Sequence, residues 1–385
     1  MSPVTLPSRR LPLAPRAKAG LLACLALLAS CAQDGPPPLP PLPAEALEAV
    51  TADPGVPREE LARAVDALFT QDGLGETRAL LVLHEGEVVA ERYGEGYGPD
   101  DRFIGWSMSK TVTGVLLGML VADGRLSLDE PAPVPLWQRP GDPRSAITLR
   151  HLLQMRSGLR HQEATDPQWR SNEVQMLFLE GRDNMAGWAE AQTLAYPPGS
   201  HFAYSTPTAV ILSDIATDVI ARGTTPAERQ AAMGEFVAAR LAVPLDMPSL
   251  TGEFDASGTL IGGSDFWATP RDWARFGEFL RNGGSVAGAQ IVPRGWIDFM
   301  RTPSPASPDY GAQLWLNHPS GTDRDNLFNG AVSEDLFAAE GHLGQYVIVS
   351  PRQHLTVVRL GKTDSDAQVP LRDALERIFA LYPAR

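Results

Sequence analysis

The chain of 385 residues predicts an α/β part joined to an all-α part: an antiparallel sheet flanked by terminal helices, with a helical lobe inserted into it. Three observations predict this. Strand-like runs stand near both ends of the chain, with Ala79–His84 and Glu87–Tyr93 early and Leu336–Glu340, Gln345–Ser350 and Leu355–Leu360 late. The stretch between them is written in helical periods and turns. One run, 107–123, is apolar on nearly every side, which marks a helix buried in the centre of a body.

The elements follow in order. Arg9, Arg10, Arg16 and Lys18 precede an apolar run from Ala19 to Ser30, the pattern of an export signal too short to span a bilayer. It ends in Leu28-Ala29-Ser30-Cys31, which resembles a bacterial lipobox, with cleavage before Cys31 and lipid on its sulfur. Ala32, rather than Asp, follows the Cys, so the expected destination is the outer membrane, facing the periplasm. Residues 1–30 form the signal peptide and 31–43 a stiff Pro-rich tether. The folded body is 44–385, its α/β part about 44–106 and 285–385 and its helical lobe about 107–284.

Within the body, 44–72 reads as helix broken near Pro54-Gly55-Val56-Pro57. Glu85-Gly86 turns the first hairpin, and Asp123-Gly124 stops the apolar helix. Shorter helices are expected at 149–155, 172–179, 208–222, 226–241 and 270–282, and 370–381 closes the chain. The acidic residues of 323–340 read as a solvated face.

A formal charge of −13, which becomes −17 once residues 1–30 are removed, excludes a nucleic-acid partner. The only cysteines are Cys24 and Cys31, so the body holds no disulfide, and no histidine spacing suits a metal. No cofactor is expected. Of the 33 basic residues only Lys18, Lys110 and Lys362 are lysines.

That scarcity makes Ser107-Met108-Ser109-Lys110 informative. Residues three apart share a helix face, so the Ser107 hydroxyl and Lys110 amine can meet. A buried lysine loses its proton more readily, and the neutral amine can take the serine proton where an arginine cannot. Tyr204, in His201-Phe202-Ala203-Tyr204-Ser205-Thr206, is the second candidate, a phenol that ionises beside a cation and serves as base. His342-Leu343-Gly344-Gln345 is the third: Gly344 permits close backbone approach, and the Gln345 N–H would share an oxyanion with the Ser107 N–H.

The order and spacing of these motifs resemble the serine β-lactamase and penicillin-recognising superfamily over about residues 76–362. The likeness is strongest to its class C-like branch of esterases, D-aminopeptidases and 6-aminohexanoate-dimer hydrolase. Ile147 to Leu153, Ser157-Gly158-Leu159, Gly262-Gly263-Ser264 and Tyr310-Gly311 are further family-like phrases. The resemblance implies a β-lactamase-like fold with Ser107 as acylated nucleophile, Lys110 as its proton partner and Tyr204 as base and later acid. It also implies a substrate groove along His342–Gln345.

Two departures stand out. Thr206 replaces the usual Asn of Y-x-N, a shorter side chain expected to weaken contact with Lys110. His342 replaces the Lys of K-T-G, removing a permanent cation, and no acidic motif is assignable to deacylation. The reading is a lipid-anchored serine hydrolase acting on a small amide or ester, neutral or amine-bearing. A non-turnover penicillin-binding or sensor protein, and within enzymes a β-lactamase or D-Ala-D-Ala carboxypeptidase, stay open.

Overall fold

The computed structural model describes residues 41–384; the signal, Cys31 and most of the tether lie outside them. Six strands form the main sheet: β1 (Glu76–His84), β2 (Glu87–Tyr93), β8 (Trp315–Leu316), β9 (Phe337–Gly341), β10 (Gln345–Ser350) and β11 (Leu355–Lys362). A small second sheet joins β3 (Phe103–Ile104), β4 (Thr251–Gly252) and β5 (Phe266–Ala268), and β6 (Ser285–Val286) pairs with β7 (Ala289–Gln290). The main sheet is antiparallel throughout, in the order β2-β1-β11-β10-β9-β8. The first hairpin therefore docks on the last strand of the chain, which builds one sheet from both termini.

The two-residue period of a strand sorts its side chains onto two faces. Leu80, Val82, Tyr346, Ile348 and Val357 pack under α2 (Arg58–Thr70) and α11 (Gln368–Leu381), with the short α1 (Ala44–Glu48) beside α2. Leu81, Val347, Val349, Val358 and Leu360 face the larger core. Onto this second face lies α9 (Pro270–Arg281). Gly277 lets it approach: an added Cβ would stand 2.6 Å from Thr356 Cγ2 and 2.8 Å from Val347 Cγ1. Residues 270–281 thus pack on the sheet, a correction to the expected lobe boundary. The physical reason is the apolar stripe of Trp273, Phe276, Phe279 and Leu280, which needs a flat apolar partner.

The expected central helix is α3 (Met108–Ala122), buried without interruption from Met108 to Leu120. It touches β9 and β10 on one side and α7 (Thr206–Ala221) and α10 (Arg294–Met300) on the other. Gly118 and Gly114 make room for Trp296 and Met300 of α10. The helical part is completed by α4 (Leu149–Leu153), α5 (Asn172–Phe178), α6 (Met185–Glu190) and α8 (Pro226–Val237). The elements α6, α10 and the small sheet have no clear pattern in the sequence, because each is short and its partners are distant in the chain. Among the described residues no helix is long and apolar enough to cross a membrane.

Candidate active site

The chain enters α3 through a strained step. Trp106 takes φ 47°, a left-handed conformation costly for a residue with a Cβ. Its indole is met edge-on by the His342 ring at 5.6 Å. Ser107 follows at the N-cap position with φ −63° and ψ −10°, yet its hydroxyl caps nothing. Instead Lys110 Nζ lies 2.8 Å from Ser107 Oγ, one helical turn on, and donates to it when charged as an ammonium.

Lys110 is only 1% exposed. Its Nζ also reaches Thr206 Oγ1 at 2.8 Å and the Gly263 carbonyl at 2.9 Å. Gly262 and Gly263 make the last contact possible: a Cβ on Gly262 would stand 2.2 Å from Ser213 Oγ, and one on Gly263 3.0 Å from Thr206 Cγ2. Burial lowers the Lys110 ammonium's pKa, opposed by the negative fields of Glu163, Glu173 and Asp265. Thr206 does not weaken the site as expected. It is the first residue of α7, and α7 packs directly on α3, so a short hydroxyl reaches the amine.

Tyr204 completes the group. Its ring stacks on Trp315 at 5.2 Å and lies with its centroid 4.9 Å from Lys110 Nζ. Burial holds the phenol well above its usual pKa, the nearby Tyr310 and Glu163 add to this, and a hydrogen bond with Ser107 opposes it. Desolvation thus disfavours the phenolate that the sequence suggests for Tyr204.

The segment His342–Gln345 forms the turn from β9 into β10. Gly344, at φ 78°, has its open side against Arg359 Nη1 and Leu371 Cδ2, each 2.8 Å from an added Cβ. The Gln345 side chain braces the turn, its Nε2 donating to the His342 and Gly361 carbonyls at 3.0 and 2.7 Å and its Oε1 accepting from the Gly361 N–H at 3.0 Å. Both residues brace the β9–β10 turn against β11. What meets the serine segment is Gly341: a Cβ there would stand 2.2 Å from the Gly105 carbonyl oxygen. Beside it the pairing of β8 with β9 stops at Ala338, which leaves the edge from Ala339 to Gly341 without β8. His342 is an exposed residue of the turn with its ring against Trp106, and partial desolvation lowers its pKa.

Two acids missed by the sequence reading are near. Glu163 lies in the loop between α4 and α5; its Oε2 accepts from the Thr206 N–H at 2.6 Å and its Oε1 from the Thr206 hydroxyl. His161 anchors the same loop by pairing with Ser205 Oγ at 2.9 Å and Thr208 Oγ1 at 3.2 Å. A lone carboxylate in an aperiodic stretch carries no local signal; only its place four residues after Ser157-Gly158-Leu159 hinted at the site. Glu340, expected on a solvated face, has a buried Oε1 with no hydrogen-bond partner, and burial pushes its pKa up to about 7.

A serine held by a buried amine beneath a phenol, where a long helix passes between an antiparallel sheet and a helical lobe, defines an S-x-x-K protein of mixed α/β and all-α build. The comparisons with known proteins agree, and the chain belongs to the beta-lactamase family, whose model matches residues 65–381. A 6-aminohexanoate-dimer hydrolase of Paenarthrobacter ureafaciens is 29% identical over 267 residues, which span 64% of each chain. Among solved structures, a family VIII carboxylesterase superposes with a TM-score of 0.61 at 16% identity, covering 83% of this chain and 97% of its own. A beta-lactamase from Mycobacterium bovis gives 0.58 at 18%, covering 83% and 100%. The two structural likenesses establish a shared fold.

Proposed function

We propose that this protein is a serine hydrolase that cleaves an amide or ester through an acyl-enzyme on Ser107. The observation that carries the reading is the 2.8 Å contact between Ser107 Oγ and a fully buried lysine. Neutral Lys110 takes the Ser107 proton as Oγ attacks the substrate carbonyl. The proton passes by way of the Tyr204 phenol to the leaving amine or alkoxide, and water then repeats the sequence on the acyl group. The oxyanion is held by the Ser107 N–H, at the positive end of α3, together with a backbone amide of the β9–β10 hairpin.

The acids whose fields reach Lys110, namely Glu163, Glu173 and Asp265, favour neutral or amine-bearing substrates over anionic ones. Short linear amides of amino acids, of the kind named for the Paenarthrobacter relative, fit that field. The test is a panel of p-nitrophenyl esters, D-amino-acid amides, linear oligoamides and a chromogenic cephalosporin, run on the wild type and Ser107→Ala. Turnover lost in Ser107→Ala supports the nucleophile. A preference for the anionic cephalosporin over neutral esters would overturn the substrate class.

Export and lipid attachment at Cys31 belong to the same proposal, supported by the basic and apolar run that precedes it. Metabolic labelling with a radioactive fatty acid checks it. Label retained in Cys31→Ser would refute attachment at that sulfur.

A further inference from the structure

The donors and acceptors around Lys110 admit few arrangements. The Gly263 carbonyl can only accept, and it takes one Nζ hydrogen at 2.9 Å. The Thr206 N–H can only donate, so Glu163 Oε2, 2.6 Å away, must accept from it. Glu163 Oε1 then draws the Thr206 hydroxyl hydrogen, which leaves Thr206 Oγ1 to accept the second Nζ hydrogen at 2.8 Å. A neutral amine has two hydrogens and one lone pair. With both hydrogens committed, the lone pair faces the remaining neighbour, Ser107 Oγ.

We propose that Glu163 is a positioning residue for the base: by turning the Thr206 hydroxyl toward itself, it aims the Lys110 lone pair at Ser107. The proposal rests on the reading of Ser107 as nucleophile and Lys110 as base. It gives a role to a carboxylate that touches neither reacting atom. It also explains why a threonine serves at this position: the hydroxyl can accept and donate along one line, and the N-terminal end of α7 favours the anion. A neutral acid or amide at 163 must keep its oxygen on the Thr206 N–H and turn a hydrogen toward Oγ1. The Thr206 hydroxyl then donates to the amine, and the lone pair is diverted from Ser107. The line of hydrogen bonds reverses.

The electrostatic consequence has a definite sign. Glu163 favours the ammonium form of Lys110, as do Glu173 from α5 and Asp265 from the turn before β5. Tyr204 and Tyr310 face Glu163 as neutral phenols. Removing the Glu163 charge lowers the Lys110 pKa further, so the amine persists to lower pH.

The experiment measures kcat and KM for a p-nitrophenyl ester across pH for the wild type, Glu163→Gln, Thr206→Ser, Thr206→Val and Ser107→Ala. In Glu163→Gln, kcat falls about 10²-fold with KM unchanged, and the acidic limb of kcat/KM moves about one pH unit lower. Thr206→Ser, which keeps the hydroxyl, stays within about threefold of wild type, while Thr206→Val loses about 10²-fold. Wild-type kcat in Glu163→Gln, or a loss there with the limb unmoved, overturns the proposal. If Glu163→Gln does not fold, the Thr206 pair decides, and equal rates for serine and valine overturn it. Turnover surviving in Ser107→Ala overturns the underlying reading instead; a dead Ser107→Ala beside an unaltered Glu163→Gln overturns the positioning role alone.

Discussion

Replacing Gly341 by alanine tests whether the end of β9 sets the position of the serine. Its φ lies outside the left-handed region, so the substitution acts by bulk alone. The new Cβ would stand 2.2 Å from the Gly105 carbonyl oxygen, about 1 Å closer than carbon and oxygen tolerate. Neither side yields easily. Gly105 is held by its N–H to the Phe266 carbonyl at 2.7 Å, and Gly341 is paired with Gln345 across the sheet. The strain therefore moves the segment Gly105–Ser107 by about 1 Å, a displacement that costs about 10²-fold when it falls on a reacting group. Overpacking also lowers stability by about 1–3 kcal/mol. The assay is kcat/KM for a p-nitrophenyl ester beside thermal unfolding. Gly344→Ala is the control: at φ 78° it is strained as well, but its added Cβ would meet Arg359 and Leu371 rather than the serine segment. It should lower Tm and leave kcat/KM within a few-fold of wild type. Full activity in Gly341→Ala, or an equal activity loss in both variants, would refute the assignment of β9 to the site.

Three more outcomes follow from the same geometry. Lys110→Arg replaces a base by a permanent cation, so acylation by a fluorophosphonate probe should slow by about 10³-fold; an unchanged rate would mean Lys110 is not the base. Burial depresses His161 from 6.5 to about 4, so between those values the unfolded chain binds a proton that the folded one refuses. Stability then falls as pH falls, by about 2 kcal/mol from pH 7.5 to 5, and urea unfolding of His161→Gln should lose that component. Glu340 has the opposite sign: raised from 4.5 to about 7, it favours the fold in acid and costs about 2 kcal/mol as pH climbs from 5 to 8. Unfolding of Glu340→Gln at the two pH values should show a flatter dependence, and an identical slope would place the buried carboxyl elsewhere.

Much of the site was legible because it is local. Ser107 and Lys110 sit one turn apart on an apolar helix, a relation that spacing alone establishes, and the lysine is conspicuous in a chain that otherwise writes arginine. The strands announced themselves by alternation, and α9 by its stripe. Tyr204 and Thr206 were legible as candidates but not in their chemistry. Whether a phenol ionises or a threonine reaches a lysine depends on burial and on how closely two helices pack. Glu163 was silent, since a single carboxylate in a turn has no period to betray it.

By itself, then, the sequence determined the covalent order of nucleophile and base and the sheet built from both termini. Tertiary structure alone decided which groups surround the amine. Gly263, Thr206 and Glu163 lie 153, 96 and 53 positions beyond Lys110 and converge on it or on its partner. It also decided that a Cβ added at Gly341, and not one at Gly344, would meet the serine segment. Local periodicity reports how a residue faces its own helix or strand, whereas the direction of a hydrogen bond is settled by atoms that only packing brings within reach.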